Sequence, residues 1–283
     1  MFKRHITDSY LFAKAAARGI PLSPSFVASE VFPYNPSLKH WFPSNLIPTK
    51  EVVTKRFVFD STTLAFLKTK PVSSNSKQTP LPLYGPTRVE VITALVWKAA
   101  AKAASAVKPF GPQSPHVLLS LVDIRKRASP PLPNESIGNL CVKAIGKCYP
   151  NKQPDLSTLL GEIRESKAAI NSDHVESLKG AKGHKALDEM NNLLNGMEEG
   201  RCLFATSLLN SGIYETDFGW GKPIWHYYMN PGSPGVVALT DVLTGGGVEA
   251  IVSLSREEMK IFERDPEILC YTTLNPSSLQ FFN

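Results

Sequence analysis

The sequence predicts an α/β fold built on a mixed sheet, and three observations support this prediction. Segments with strand-like and helix-like periodicity alternate along residues 53–210, as they do in domains that pack helices on a sheet. Near the end of the chain, the run "TGGG" at 244–247 separates two apolar segments, which predicts an antiparallel hairpin and therefore a sheet of mixed direction. A chain of 283 residues with 42% hydrophobic composition is also long enough to bury a large core.

The strand predictions rest on short runs that are rich in β-branched and aromatic residues. The run "VTKRFVF" at 53–59 alternates between apolar and polar positions, whereas "HVLLSLVDIRKR" at 116–127 is apolar until its charged end, as a buried central strand would be. The predicted strands are 53–59, 116–127, 136–148, 203–210, 223–230, 235–242 and 248–254.

The helix predictions rest on start signals. Thr87 and Glu90 form a capping box, and Ser255 and Glu258 form a second one. The predicted helices are one at 60–68, one behind Thr87 with the apolar stripe Ile92, Leu95, Val96 and Ala99, a long stretch over 155–197 with breaks near Gly180 and Gly183, and a short final helix after Ser255.

The first fifty residues differ from the rest of the chain. Residues 1–19 are alanine-rich and end on Gly19, which predicts a short helix. Residues 20–50 carry prolines at six positions, and this density predicts a long extended connector without regular structure.

Composition narrows the class of protein. The net charge of +6 and the pI of about 9.0 are compatible with an anionic ligand such as a phosphorylated cofactor. No arginine-rich arm or zinc-finger spacing supports nucleic-acid binding. The absence of an eighteen-residue apolar run and of a secretory signal predicts a cytoplasmic protein without membrane contact. The four cysteines match no metal or redox motif, so we expect free thiols and no bound metal.

Several common catalytic motifs are missing. Gly245–Gly247 joins two predicted strands and not a strand to a helix, so it is interpreted as a hairpin turn and not a phosphate loop. Neither G-x-S-x-G nor H-E-x-x-H occurs. Among the histidines, His5 is distinguished by the nearby Asp8. Arg125 ends a predicted buried strand and needs a carboxylate, because an unpaired buried ion costs several kcal/mol.

The stretch "ETDFGWGKP" at 215–223 encloses one aspartate among glycines and aromatic residues. Gly219 and Gly221 allow positive φ angles, and the Asp217 side chain can accept hydrogen bonds from its own backbone. A tryptophan such as Trp220 usually buries a large surface and finds a partner for its indole N–H. The simplest interpretation is a strained turn between two strands that Asp217 caps.

The same stretch resembles the signature D-F-G-W-G-K-P of the plant acyl-CoA-dependent acyltransferases known as the BAHD family. The segments "TRVEVITALVWKAA", "LVDIRKRASPPLP" followed by "IGN", and "LTDVLTGGGVEA" are similar to family segments in the same order. Within the family, the similarity is greatest to vinorine synthase-like alkaloid O-acetyltransferases.

The resemblance implies a chloramphenicol-acetyltransferase-like fold of two related α/β domains with a channel between them. It implies acyl-CoA, chiefly acetyl-CoA, as co-substrate, a small-molecule alcohol as acceptor, no bound cofactor and a monomeric state. The implied chemistry is general-base catalysis by a histidine, without an acyl-enzyme intermediate. In this chain the catalytic residues would be His5 and Asp217. The residues that support the site structurally would be Asp8, Arg125, Gly219, Trp220 and Gly221. For Asp217 an architectural role is favoured over a chemical one, because a general base must reach the proton that it takes.

The family's second motif, H-x-x-x-D, departs from the pattern here. If Asp8 is the motif aspartate, then Arg4 occupies the histidine position and His5 is one residue too close. The chain therefore resembles the C-terminal part of a family member, with residues 1–45 as a remnant of the N-terminal domain and crossover loop and 46–283 as the C-terminal acyltransferase domain. Two functions stay open: an O-acetyltransferase acting on a plant specialised metabolite such as an alkaloid, or a catalytically inactive truncated remnant that acts at most as a binding domain.

Overall fold

A computed structural model describes residues 23–32, 51–69, 85–111, 113–195, 200–228, 232–243 and 246–277. A seven-stranded sheet forms its centre. Its strands are β1 (Val52–Phe59), β2 (His116–Asp123), β3 (Cys141–Cys148), β4 (Cys202–Ser207), β5 (Val236–Asp241), β6 (Val248–Ser255) and β7 (Thr273–Leu274).

The sheet is mixed, as predicted. The strand order is β3-β2-β4-β5-β6-β1-β7. β4 runs parallel to both β2 and β5, whereas every other neighbouring pair is antiparallel. The hairpin predicted around the glycine run is confirmed, because β5 and β6 pair antiparallel with Asp241 opposite Val248.

One short helix precedes the first strand, and the others lie between and after the strands. They are α1 (Ala28–Val31), α2 (Ser61–Thr69), α3 (Arg88–Val107), α4 (Leu156–Ala168), α5 (Ser172–Ser177), α6 (Gly180–Asn195), α7 (Arg256–Phe262) and α8 (Pro266–Tyr271). Both capping boxes are confirmed, at Thr87 with Glu90 before α3 and at Ser255 with Glu258 before α7.

One face of the sheet, the helix-covered face, carries the main core. Successive side chains of a strand alternate between faces, and Phe57 and Phe59 of β1 point to the same face as their partners Ala250 and Val248. These side chains pack with the buried side of α3 in one large hydrophobic cluster. Trp97 of α3 lies so close to β3 that a Cβ on Gly146 would stand 3.2 Å from its ring, a tight contact that a larger residue would make only if the ring shifted.

The opposite face, the loop-covered face, is more polar. Its apolar residues form two small clusters, one around Val117 and Leu119 and the other around Ile251 and Tyr228. The Thr54 and Ser253 hydroxyls lie 2.8 Å apart on this face. The connection at 208–235 crosses it, because the parallel strands β4 and β5 require the chain to return to the opposite end of the sheet.

Several secondary-structure predictions were wrong in part. Two predicted strands were too long, because β2 ends at Asp123 and β3 begins only at Cys141. Residues 223–228 of the strand expected at 223–230 have no regular structure. The long helical stretch divides at 169–171 and at 178–179, and Gly183 lies inside α6, although Gly180 does begin that helix with a φ of +63°. The proline-rich connector contains α1 and an isolated bridge between Ser25 and Ser136. The helix predicted at 1–19 lies outside the described residues, and so does the boundary at residue 45.

The cysteines are free thiols, as predicted: Cys141, Cys148, Cys202 and Cys270. Burial raises the pKa of the Cys148 and Cys202 thiols to about 12. Within the ranges that the structure describes, no helix has both the length and the apolar character needed to cross a membrane, and no group of three or more potential metal ligands occurs.

Candidate functional site

The turn at 217–221 closes on its own aspartate. Oδ1 of Asp217 accepts hydrogen bonds from the backbone N–H groups of Gly219 at 2.8 Å and Gly221 at 3.0 Å. Both glycines have φ angles near +105° (+104° and +107°), a conformation that L side chains rarely adopt. The capped, glycine-dependent turn predicted from the sequence is therefore confirmed.

The chemistry of Asp217 follows from these two hydrogen bonds. They stabilise the ionised carboxylate and hold the pKa of Asp217 below its ordinary value, with Gly219 as the largest cause and Gly221 as the next. A carboxylate with a lowered pKa is a weak proton acceptor. The arrangement therefore suits an anchor for the backbone better than a general base.

The aromatic side chains of the turn lie exposed at the surface. Phe218 and Trp220 stack on each other with ring centroids 5.7 Å apart, yet they are 60% and 84% exposed. The expectation that Trp220 buries a large surface was wrong. The turn is also not a tight connection between two strands, because it lies within the long crossover from β4 to β5.

Polar contacts fasten the crossover to the loop-covered face. The backbone N–H of His226 donates to the Tyr214 hydroxyl at 3.3 Å, and Nδ1 of His226 lies 3.4 Å from the Thr240 hydroxyl on β5. Burial lowers the pKa of His226. Tyr228 packs among apolar residues of this face, including Ile251. The crossover is therefore held to the sheet through His226 and Tyr228, and the Tyr214 hydroxyl contacts it at His226.

An ion pair that the sequence analysis missed lies beneath this stretch. Arg56 binds the buried Glu249 with two hydrogen bonds, Nε to Oε1 at 2.6 Å and a second from the guanidinium to Oε2 at 2.9 Å. The guanidinium also lies 5.2 Å from the Trp225 ring centroid and donates to the Pro276 carbonyl. The signal for this pair was a charged residue in each of two otherwise β-prone runs, Arg56 in "RFVF" and Glu249 in "VEAIV". The sequence does not show that the two residues are partners, because they meet only when β1 and β6 pair.

Arg125 is buried, with 2% exposure, and obtains a carboxylate from its own segment. Its guanidinium donates to Asp123 Oδ1 at 3.1 Å and to the Ser136 and Gly138 carbonyls at 3.0 and 3.1 Å. These bonds hold the loop onto which residues 23–32 dock, since a Cβ on Gly138 would stand 2.6 Å from Ala28 Cβ. His5, Asp8 and the proposed Asp8–Arg125 pair lie outside the described residues and stay predictions.

A second arginine of the same run anchors a helix. Arg127 donates to the Lys167 and Ile170 carbonyls, the second at 2.6 Å, at the C-terminal end of α4. A cation is favourable there because the last carbonyls of a helix carry partial negative charge.

A cleft of about 570 Å³ lies on the other side of the molecule, between α3 and the start of α8. Lys98 and Lys102 line it, but each binds a carboxylate, Glu267 at 2.6 Å and Asp265 at 2.8 Å. This pairing neutralises the two cations, so the cleft offers little attraction for the phosphates of a nucleotide-like ligand.

Sequence comparisons place these features among known proteins. A family model described as the Transferase family matches residues 3–269. The limonoid 7-O-acetyltransferase of Citrus sinensis is 34% identical over 273 residues, or 91% of this chain and 58% of the relative. Epi-neemfruitin B synthase of Melia azedarach is 34% identical over 89% of this chain and 57% of the relative. Stemmadenine O-acetyltransferase of Catharanthus roseus is 31% identical over 77% of this chain and 48% of the relative. The chain thus spans about half the length of the curated relatives it matches.

The fold also matches solved structures. Vinorine synthase superposes with a TM-score of 0.72 and 26% identity over 98% of this chain and 61% of its own. The fungal protein TRI101 of F. sporotrichioides, solved with coenzyme A and T-2, shares the fold with a TM-score of 0.68 at 18% identity, over 98% of this chain and 65% of its own. The mixed sheet with flanking helices is therefore chloramphenicol-acetyltransferase-like, as expected. By its sequence and its fold, the chain belongs to the Transferase family, the BAHD acyltransferases.

Proposed function

We propose that this chain is the C-terminal part of an acyl-CoA-dependent O-acyltransferase that moves an acetyl group from acetyl-CoA to a hydroxyl group of a plant specialised metabolite. The family match over residues 3–269 carries the proposal. The relatives named above support acetyl transfer to oxygen on limonoids and on stemmadenine. A further relative, an N-malonyltransferase of Strychnos nux-vomica, shows that acyl group and acceptor atom vary within the family.

The proposed reaction is direct transfer. A histidine takes the proton of the acceptor hydroxyl while its oxygen attacks the thioester carbonyl carbon. The carbon–sulfur bond then breaks, coenzyme A leaves as a thiolate and takes up a proton, and an acetyl ester results. Holding both substrates in line contributes about 7–11 kcal/mol to lowering the barrier, and the base adds about 10²–10⁴-fold. Acyl-CoA as co-substrate is supported by the coenzyme A found in TRI101, which has this fold.

Within this proposal, His5 is the candidate base, Asp8 pairs with Arg125, and Asp217 has an architectural role. The described geometry supports the last assignment, because the Asp217 carboxylate is engaged by Gly219 and Gly221 at 2.8 and 3.0 Å. Gly219, Gly221 and Trp220 then shape the turn, and none of them handles a proton.

A second candidate is a catalytically inactive domain that binds coenzyme A weakly or binds a partner. One observation favours it. His5 precedes Asp8 by three residues, where the family motif has a separation of four.

Labelled acetyl-CoA and a panel of alkaloid and limonoid alcohols separate the two candidates. One arm uses the chain alone, and a second uses a chimera in which the preceding part of the Citrus sinensis enzyme supplies an H-x-x-x-D motif. We expect negligible product from the chain alone, since a misplacement of about 1 Å can cost 10²-fold, and product from the chimera.

Two other outcomes would change the assignment. Product from the chain alone that disappears in His5→Ala would make His5 a working base at its present spacing. A folded chimera that transfers acetyl to no alcohol of the panel would contradict the proposed function and favour the inactive domain.

A further inference from the structure

The cleft between α3 and the start of α8, which we call the α3–α8 cleft, has the size of a ligand site. Its volume of about 570 Å³ falls within the range of pockets that hold drug-sized molecules, about 300–1,000 Å³. It lies on the helix-covered face, whereas the signature turn lies on the crossover of the loop-covered face. The proposed transfer reaction therefore gives this cleft no role.

The floor of the α3–α8 cleft is apolar and belongs to the main core. Its most buried lining residues include Ala99, Ala101 and Cys148, each at most 4% exposed. Two of them lie on α3 and the third ends β3, and all three belong to the main hydrophobic cluster. A rigid floor of small side chains leaves room for a flat apolar body and loses little conformational entropy when such a body binds.

The charged groups of the α3–α8 cleft satisfy one another. Lys98 binds Glu267 at 2.6 Å, and Lys102 binds Asp265 at 2.8 Å. Both pairs join α3 to the start of α8, where the Asp265 carboxylate also caps the helix. An ionic ligand would have to separate one of these pairs and leave a charge without its counter-ion, which is costly. The cleft therefore favours a neutral ligand.

Two uncharged polar side chains of the cleft are available to such a ligand. The half-buried Ser105 and the exposed Gln153 line the cleft, and neither side chain forms a hydrogen bond with another described residue. A hydroxyl group and a primary amide each donate and accept hydrogen bonds. Together they can bind hydroxyl or carbonyl oxygens of a molecule that lies on the apolar floor.

The backbone of Gln153 is strained. Among the described residues, three that are not glycine have a positive φ angle: Gln153 at +45°, Asn210 at +55° and Asn275 at +44°. Asparagine tolerates this conformation, whereas glutamine rarely adopts it. The Gln153 N–H donates to the Pro150 carbonyl at 3.0 Å, which holds the turn. Strain at a residue whose side chain has no partner among the described residues points to a function.

We propose that the α3–α8 cleft binds a neutral, rigid polycyclic molecule that carries hydroxyl or carbonyl groups. The ring system lies on the floor formed by Ala99, Ala101 and Cys148, and its oxygen atoms form hydrogen bonds with Ser105 and Gln153. The two lysine–carboxylate pairs stay intact and disfavour charged ligands. The proposal does not depend on the transfer reaction, and its test measures binding alone.

Hydrocortisone is a suitable probe, because it is a neutral four-ring molecule with hydroxyl and carbonyl groups, and hydrocortisone phosphate is its charged counterpart. Isothermal titration calorimetry of the full chain is expected to give a Kd of about 10–100 μM for hydrocortisone. Binding of the phosphate should be at least about tenfold weaker. Hydrogen–deuterium exchange at 98–106 should slow about tenfold when hydrocortisone is present at about ten times its Kd.

One pair of variants tests the position of the site. Ala106→Trp places an indole in the cleft from an exposed position at its edge, and should weaken hydrocortisone binding about 30-fold or more. The control, Val107→Trp, changes the neighbouring exposed residue of α3, which does not line the cleft, and should leave the affinity unchanged. Exchange in the unmodified chain tests the position independently if a variant fails to fold.

A second pair of variants tests the strained glutamine. Gln153→Gly should raise the melting temperature by about 1–3 °C, because glycine adopts positive φ freely, and should weaken hydrocortisone binding about 3–10-fold through the lost amide. Asn210→Gly makes the same kind of backbone change outside the cleft and should leave the affinity unchanged. If Gln153 had only a structural role, Gln153→Gly would change the melting temperature and not the affinity.

Three results would overturn the proposal. The first is the absence of hydrocortisone binding by the unmodified chain up to the solubility limit of the probe. The second is binding that Ala106→Trp leaves unchanged without slower exchange at 98–106, which would place the molecule on another apolar surface. The third is binding of hydrocortisone phosphate as tight as that of hydrocortisone, which would show that Lys98 or Lys102 exchanges its carboxylate for the anion of a ligand.

Discussion

The two faces of the central sheet differ in what covers them. The helix-covered face packs against α3 in a large cluster that includes Phe57, Phe59 and Trp97, and it carries a second cluster around Val122 and Val142. The loop-covered face has two small apolar clusters, the Arg56–Glu249 ion pair and a crossover whose described residues include one short 3-10 helix, Ile213–Glu215, and no α-helix. The family signature lies on that crossover and not in the main core.

The two faces of the sheet therefore contribute to the fold in different ways. A face filled by helices buries most of the apolar surface and stabilises the fold by the hydrophobic effect. A face with paired charges depends on geometry, because the net contribution of a buried ion pair is small while the loss of one partner is costly. Changes on the helix-covered face should therefore affect stability, and changes on the loop-covered face should affect the position of the turn and of the residues that follow it, 222–228.

Two tryptophans, one for each face, provide the largest expected contrast. Trp97→Ala removes a fully buried ring and should lower the free energy of unfolding by about 3–5 kcal/mol. Trp225→Ala removes a ring that is 43% exposed and should cost about 1 kcal/mol, mostly its contact with Arg56. Urea denaturation measures both. Equal losses would show that the crossover belongs to the same cooperative core.

The Arg56–Glu249 ion pair should show the next largest effect on the free energy of unfolding. Glu249→Leu leaves the Arg56 charge without its bidentate partner and should cost about 3 kcal/mol in urea denaturation. Combining it with Arg56→Met removes both charges and should recover most of this loss. If the double variant is as unstable as the single one, the pair contributes a net stabilisation that an apolar replacement cannot supply.

His116 makes the helix-covered face sensitive to acid. Its Nδ1 accepts the Trp97 indole N–H at 3.0 Å, and burial, followed by the nearby Arg201, lowers the pKa of His116 from 6.5 to about 3. A lowered histidine pKa gives stability that is present above the unfolded value and is lost as the pH falls from about 6.5 towards 3. Between pH 6.5 and pH 5 this loss should amount to about 1.6 kcal/mol.

The control for this prediction is His116→Gln, which does not titrate in that range. Urea denaturation at a series of pH values should show a shallower acid slope for the variant than for the unmodified chain. Identical slopes would mean that His116 does not protonate on unfolding in this range.

Replacing a glycine of the turn by alanine should destabilise the fold, whereas the same replacement inside a helix should stabilise it. Gly219→Ala places a Cβ at a φ of +104° with no atom within 4 Å, so its cost is backbone strain alone, about 1–2 kcal/mol. Gly161→Ala in α4, also without a close neighbour, should stabilise by about 0.5–1 kcal/mol. Thermal unfolding of both variants checks the signs. A neutral Gly219→Ala would show that the turn relaxes freely.

The smallest expected effect is that of Asp217→Asn. Asparagine keeps the oxygen that accepts from Gly219 and Gly221, whereas Asp217→Ala removes it. In an intact homologue, the alanine variant should lose activity and melting temperature together, and the asparagine variant should keep most of both. An asparagine variant with an unchanged melting temperature but no activity would point to a chemical role for the charge.

Much of this architecture was predictable from local patterns. The capping boxes at Thr87 and Ser255 start α3 and α7 because the bonds that form them lie within four residues of one another. The Asp217 turn was predictable for the same reason, and so was the β5–β6 hairpin, whose strands are adjacent in the chain. The family signature could be recognised in the sequence, but the exposure of its side chains could not be predicted from it.

The predictions that failed concern partners distant in the chain. Residues 223–228 have the composition of a strand, but a strand forms only where another strand offers hydrogen bonds, and no described strand does so there. Arg56 and Glu249 stand 193 positions apart, so only the pairing of β1 with β6 could show that each satisfies the other. The sequence by itself determined the elements, their caps and the family, because these depend on neighbours in the chain. Only the tertiary structure decided which charges meet, which face carries the core and which aromatic side chains lie at the surface, because burial is a property of the packed sheet.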